Sequence, residues 1–185
     1  MAAAILGIES SCDDTAAAVV VGGRRVLSNV VRSQISEHLE WGGVVPAIAG
    51  RSHLDHVVGV VDRALDEAGL ALDDLDGIAA TVQPGLIGSL LVGVSAAKSL
   101  AWSLGVPVIG VDHVRAHLYA PLLTDPTVAW PAIGLVASGG HSSIYAMSSS
   151  VVLERIGSTI DDAVGEAFDK VAAMLSLGHP GGPEL

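Results

Sequence analysis

One order of elements is written into this chain twice, and the repetition limits the fold more than any single residue does. Ala4–Ile8 and Ala16–Val21 read as apolar strands flanking the polar stretch Glu9-Ser10-Ser11-Cys12-Asp13-Asp14-Thr15. Gly22-Gly23 then turns the chain into a third strand, Val26–Val31. Later, Ala132–Ala137 is a strand, Ser138-Gly139-Gly140-His141-Ser142-Ser143 a tight polar turn, and Ile144–Met147 and Val151–Ile156 two further strands. Each set is followed by an amphipathic helix. The order predicts an α/β protein with two like lobes facing each other across a cleft, each donating one hairpin turn. Leu122–Pro131, bracketed by Pro121 and Pro131 with Pro126 between, reads as the connector. The expected division is residues 1–121, 122–131 and 132–185, with the second lobe incomplete.

The helices follow from apolar spacing. One is expected from about Ser52 to Glu67, with Leu54, Val57, Val58, Val61 and Leu65 as its buried stripe and Gly69 as its stop. His53 and His56 on this helix read as surface residues. Gly77–Val82 is the next strand, and Pro84-Gly85 leads into a helix from about Gly88 to Leu104. That helix is rich in small residues (Gly88, Ser89, Gly93, Ser95, Ala96, Ala97), which permits close backbone approach. In the second set, a helix from about Ile160 to Leu177 would be capped by Ser158 or Thr159, with Asp161 and Asp162 in its first turn. Val164, Phe168, Val171 and Leu175 form its apolar stripe, while Asp162, Glu166 and Asp169 share another face.

Composition narrows the class. Half of the 185 residues are hydrophobic but only 3% are aromatic, so Ala, Val, Leu and Ile must build the core. A formal net charge of −11, with nine Lys and Arg in all, argues against a broad nucleic-acid surface, since phosphate binding rests on clustered cations. The adjacent pair Arg24-Arg25 reads as a solvated hairpin turn. Apolar runs are broken by Gly or charge before the roughly 18–20 residues a membrane helix needs. Met1–Leu6 carries no basic region, which does not suit a signal peptide. A single cysteine, Cys12, excludes an internal disulfide and suits a reducing compartment. A cytoplasmic protein without membrane contact is expected.

Three stretches carry chemistry. Val106–Val111 reads as a short buried strand, and Asp112 can cap the helix that follows. His113 and His117 then lie one helical turn apart, able to take neighbouring corners of a metal's coordination shell. Many His-x3-His pairs are simply half-exposed; this one sits at the carboxyl end of a strand, where open α/β sheets bind ligands. The two polar turns are candidates for phosphate oxygens, the one at Ser138-Gly139-Gly140 the better because both glycines expose N–H groups. Glu9, Asp13 and Asp14 in the other turn would repel bare phosphate and suit an intervening cation, water or amine.

These motifs occur in one order: Glu9-Ser-Ser-Cys-Asp-Asp-Thr15, Pro84-Gly-Leu-Ile-Gly-Ser-Leu-Leu-Val-Gly93, His113-x3-His117, Ser138-Gly-Gly-His141, Asp161-Asp-Ala-Val-Gly-Glu-Ala-Phe-Asp-Lys170 and Pro180-Gly-Gly-Pro183. Together they resemble the TsaD family, the tRNA threonylcarbamoyl-adenosine transferases once described as O-sialoglycoprotein endopeptidases. The resemblance covers the whole chain but only about the first half of a usual member. It implies the actin-like, Hsp70-like ATPase (ASKHA) fold. It also implies transfer of a threonylcarbamoyl group from threonylcarbamoyl-AMP to the N6 amine of the adenosine beside the anticodon in tRNAs reading ANN codons. By motif, His113 and His117 would ligate one divalent metal, Fe(2+) or alternatively Zn(2+). Val136, Ala137, Ser138, Gly139 and Gly140 would line the adenylate, derived from ATP, and Asp169 and Gly182 would contact its nucleotide part. Asp13 matches an acidic, catalytic position in the first phosphate-proximal loop. Implied partners are tRNA, a TsaB-like paralogue and a TsaE-like ATPase.

The sequence departs from the family pattern at Ala47, where Glu is usual, at Asp112, where Asn is usual, and at Gln83, where Gly is usual. The family's third protein metal ligand, an Asp far downstream, has no counterpart before Leu185. A non-catalytic scaffold related to the family is an alternative reading, against which the histidine pair speaks. A metallopeptidase of the His-Glu-x-x-His type fits less well, because Val114 occupies the place of the general base.

Overall fold

The computed structural model describes residues 2–125, 127–178 and 180–185. It separates into two compact units, Met1–His113 and Val114–Leu185. The first is built on a five-stranded sheet: β1 (Ala4–Glu9), β2 (Asp14–Val21), β3 (Arg25–Ser33), β4 (Gly77–Gln83) and β5 (Val108–Asp112), in the order β3-β2-β1-β4-β5. β1, β2 and β3 form an antiparallel meander, while β4 joins β1, and β5 joins β4, in parallel. Parallel neighbours need a crossover, and two helices supply it. α2 (Pro46–Ala68) leads into β4, and α3 (Ile87–Leu104) links β4 to β5.

The alternation of β1 explains why the helices dock on this sheet. Ala4, Leu6 and Ile8 are buried and their intervening neighbours only partly so. Leu6 and Ile8 join Val19, Val30, Val57, Val61, Leu65, Ile78 and Ala97 in one core. Truncating a side chain such as Leu6, fully buried, to Ala would cost on the order of 2–5 kcal/mol. A short helix, α1 (Ile35–His38), precedes α2.

Several sequence expectations shift here. α2 begins at Pro46, six residues earlier than Ser52, because proline is preorganised for the first helical position; Gly69 ends it in the left-handed conformation, as expected. Its buried face is Ala49, Ser52, His53, Val57, Val60, Val61, Ala64 and Leu65. Leu54 and Val58, assigned to the stripe from spacing, are 66% and 67% exposed. His53, expected at the surface, is fully buried. β5 is not a buried strand: it lies at the edge of its sheet, and Val108 and Ile109 are largely exposed. α3 is long and apolar enough to cross a membrane, yet it packs in the unit through Ser89, Leu90, Gly93, Ala97 and Ala101.

The second unit contains β6 (Ala132–Ala137), β7 (Ser142–Met147) and β8 (Leu153–Ser158), again an antiparallel meander. α4 (His113–Thr124) carries Val114 and Leu118 into a small core with Val136 and Met147. Pro121 does not end this helix but lies inside it, three residues before Thr124. A Cβ at Gly134 would meet Leu118 Cδ2 at 2.6 Å and Met147 Sδ at 2.8 Å, so the bare backbone of β6 is what admits them. α5 (Val164–Met174) is shorter than expected, with Ala163 rather than Ser158 or Thr159 at its N-cap. The Thr159 hydroxyl is used elsewhere, donating to the Asp162 carbonyl at 2.6 Å. The α5 stripe of Val164, Phe168 and Val171 is half exposed.

Candidate functional site

The first polar turn joins β1 to β2, and contacts from several elements of its unit hold it. Ser10 is buried; its hydroxyl donates to the Ser89 carbonyl at 2.8 Å and accepts from the Gly93 N–H at 3.1 Å, both in α3. A Cβ on Gly93 would strike that hydroxyl, so the missing side chain is what lets α3 approach. Gly85 approaches about as closely, and against backbone: its Cβ would meet the Ser11 carbonyl oxygen at 2.5 Å. The Leu86 N–H donates to this same carbonyl at 2.8 Å.

Glu9 sits at the base of the turn as a receiver of protons. One oxygen accepts from the Ser11 N–H at 2.5 Å; the other accepts from the Thr81 hydroxyl at 2.5 Å and pairs with His113 Nδ1 at 3.1 Å. Burial raises its pKa, but the bonds from His113, Ser11 and Thr81 outweigh burial and hold the carboxyl down to about 2. The same Glu9 bond raises the pKa of His113 against the opposing effect of burial. Cys12 is no thiolate: desolvation and the neighbouring Asp13, Asp14 and Glu9 carboxylates push its thiol up to about 12.

Asp13, the acidic residue singled out in this turn, is half-buried, and its carbonyl accepts from the Gln34 N–H at 2.9 Å. Beneath it runs a buried polar chain that sequence reasoning missed. His53 Nε2 bonds the Cys12 carbonyl at 2.9 Å, and its Nδ1 meets the Thr15 hydroxyl at 2.7 Å and the Gln34 amide at 3.3 Å. Gln34 in turn meets His38 Nε2 at 3.3 Å.

His113 and His117 stand at positions one and five of α4, so one helical turn separates them. Among the described residues no group of three or more His, Cys, Asp and Glu side chains gathers as a metal site. His113 Nδ1 lies 3.1 Å from Glu9 Oε2, which leaves Nε2 of that ring as the nitrogen able to ligate a borderline divalent ion.

The second polar turn, between β6 and β7, largely holds itself. The Ser138 N–H donates to the His141 carbonyl at 2.8 Å, and the Ser138 hydroxyl accepts from the His141 N–H at 3.0 Å. α5 starts against it: the Gly165 N–H donates to the Ser138 carbonyl at 3.1 Å, and a Cβ on Gly165 would meet Gly139 N at 2.7 Å. Gly139 and Gly140 are exposed, with open space where a Cβ would go. Of the other residues singled out, Ala137 is exposed at the end of β6, whereas the Val136 side chain lies in the small core, leaving its backbone to line anything above. Asp169 is brought to the last segment, where its carboxylate accepts from the Gly181 N–H at 2.7 Å, next to Gly182. A Cβ on Gly181 would meet the Phe168 carbonyl oxygen at 2.8 Å.

Comparison with known proteins adds a family. The model of the family described as tRNA N6-adenosine threonylcarbamoyltransferase, TsaD, matches residues 25–185. A protein of Symbiobacterium thermophilum bearing that name is 54% identical over 181 residues, covering 98% of this chain and 53% of the relative. The chain thus spans about half the length of the curated relatives it matches. Among solved structures, YeaZ from Pseudomonas aeruginosa is similar with a TM-score of 0.54 at 22% identity, over 84% of this chain and 65% of that one. Component A of the (R)-2-hydroxyglutaryl-CoA dehydratase of Acidaminococcus fermentans is similar with a TM-score of 0.54 at 12% identity, over 95% and 55%. Likenesses this distant show the fold alone, which is the actin-like, Hsp70-like ATPase fold.

Proposed function

We propose a function from one premise: the chain belongs to the TsaD family, the tRNA N6-adenosine threonylcarbamoyltransferases. It is read as the N-terminal part of an enzyme that moves a threonylcarbamoyl group from threonylcarbamoyl-AMP to the N6 amine of the adenosine beside the anticodon. The observation that carries this reading is a match at 54% identity over 181 residues, 98% of this chain. The two units are read as the two lobes of the fold, the second represented by its opening meander and helix.

The chain's own residues suggest a division of labour. The N–H groups of the exposed Gly139 and Gly140, in the turn against which α5 starts, suit the oxyanions of an adenylate. Asp169 orients the Gly181–Gly182 segment, which suits contact with the nucleotide part. His113 and His117 would hold the metal, Fe(2+) or Zn(2+), which when bound supplies Lewis acidity toward a phosphate or carbonyl oxygen of the donor. The Glu9 carboxylate accepts a hydrogen bond from His113 Nδ1–H, which fixes the ring's orientation. Asp13, near this end of β1, is the acidic residue of the first loop. An adenine amine is a poor nucleophile, so positioning and charge stabilisation must supply much of the rate. With a net charge of −11, capture of tRNA falls to partner subunits, a TsaB-like paralogue and a TsaE-like ATPase, in the cytoplasm.

A metal titration of the 185-residue chain by calorimetry tests the histidine assignment. Fe(2+) or Zn(2+) should bind the wild-type chain and not a His113→Ala, His117→Ala variant. Equal binding by the two would remove the pair from the site.

A further inference from the structure

We infer that His53, Gln34 and His38 form a positioning relay that fixes the backbone of the Glu9–Asp14 turn. The inference rests on reading that turn as part of the donor site, but its geometry stands apart from that reading. Direction follows from chemistry at one end. The Cys12 carbonyl can only accept, so His53 Nε2 carries the proton of their 2.9 Å bond. With that proton on Nε2, the Nδ1 lone pair is left to accept, shared between the Thr15 hydroxyl at 2.7 Å and the Gln34 amide nitrogen at 3.3 Å. That orientation turns Gln34 Oε1 toward His38 Nε2, which must donate at 3.3 Å. His38 Nδ1 is then the acceptor for the Val45 N–H at 3.3 Å. Every link is satisfied by one assignment, and the donors all run from Val45 to Cys12.

Burial makes this arrangement selective. His53, Gln34 and Thr15 are 0% exposed and His38 is 4% exposed. A buried polar group left unmatched costs about 1–3 kcal/mol, so a single wrong tautomer would penalise two links at once. The endpoints give the relay its purpose. One is the Cys12 carbonyl beside Asp13, and the Gln34 backbone N–H donates to the Asp13 carbonyl itself. The other is Val45, the N-cap of α2, two residues before Ala47. Gln34 therefore ties the turn, the α1 segment and the start of α2 into one unit, and a shift of any of them is felt at Asp13. His53 acts through the Cys12 carbonyl, as a positioning residue.

Two measurements on the 185-residue chain test it. Nitrogen-15 spectra of the imidazoles should show the Nε2–H tautomer at both His53 and His38; an Nδ1–H tautomer at His53 would overturn the relay. Amide exchange should then separate local from global effects. In a His53→Ala variant the Gln34 and Leu86 amides, which bond the Asp13 and Ser11 carbonyls, should exchange about tenfold faster, while the Ile78 amide of β4 keeps its rate. A His53→Gln variant, whose amide can donate to Cys12, should restore most of the protection. Equal acceleration at Ile78, or none anywhere, would contradict the relay. Should His53→Ala fail to fold, Gln34→Leu serves instead, with faster exchange expected at the Val45 amide. Neither readout involves nucleotide, so a failure to bind AMP would count against the functional reading and leave the relay standing.

Discussion

The two polar turns follow the same strand order yet are held by different means. In the β1–β2 turn the fixing groups come from distant parts of the sequence: Ser89 and Gly93 from α3, His53 from α2, Thr81 from β4 and His113 beyond β5. In the β6–β7 turn most of the fixing groups are its own, Ser138 and His141, with α5 added through Gly165. The first spends its polar atoms on the protein around it; in the second, a side chain added at Gly139 or Gly140 would meet nothing within 4 Å. A turn saturated by its neighbours is a rigid mount for a side chain such as Asp13. A self-sufficient turn with exposed amides can offer them to an anion. A shared strand order therefore does not imply that two turns are held in the same way.

Substitutions at the turns should separate these roles. The largest effect belongs to Gly85→Ala. Its Cβ would fall 2.5 Å from the Ser11 carbonyl oxygen, a backbone atom that cannot step aside cheaply, and overpacking of this kind costs about 1–3 kcal/mol. A clear loss in melting temperature is expected; an unchanged one would show that the first turn is looser than its contacts imply. Ser10→Ala comes next. It strips the Ser89 carbonyl and the Gly93 N–H of their buried partner, and about 1 kcal/mol should be lost in denaturant unfolding with no change in m-value. Gly139→Val should have the smallest effect on stability, within about 0.5 kcal/mol, because its Cβ meets nothing within 4 Å. Its effect should appear in AMP affinity, measured by calorimetry beside circular dichroism. Unchanged affinity in the folded variant would move the anion site elsewhere.

Much of this was legible in the sequence because strands announce themselves by composition. The first two strands, β4 and β6 fall within two residues of where apolar runs between turn residues place them. What stayed hidden was the facing of helices and the partners of polar residues. Spacing placed Val57, Val61 and Leu65 correctly on the buried stripe of α2 but added Leu54 and Val58, whereas the buried face continues through Ala49, His53, Val60 and Ala64. A histidine in an otherwise apolar i, i+4, i+8 series was the available signal, but its partners lie 38 and 41 residues away, at Thr15 and Cys12. The connector expected from Leu122 starts later for a related reason: proline ends most helices, but α4 carries Pro121 inside it, with Leu118 in the core, and continues to Thr124. Gly85 and Gly93 stood out only as small residues; that each clears a path to the first turn is a fact of tertiary packing.

The proposed function makes this chain one part of a threonylcarbamoyl transferase, to which it would contribute donor-binding turns and two metal ligands. Misplacing a reacting group by about 1 Å can cost on the order of 100-fold in rate, so a partial site should do no detectable chemistry. The measurement is incorporation of labelled threonine into tRNA, supplied with threonine, bicarbonate, ATP and the enzyme that makes the adenylate. The chain alone should give no transfer. The same sequence extended by a family-type C-terminal half, with partner subunits, should give robust transfer that a His113→Ala, His117→Ala variant loses. Transfer by the short chain alone, or none by the extended protein, would contradict the account.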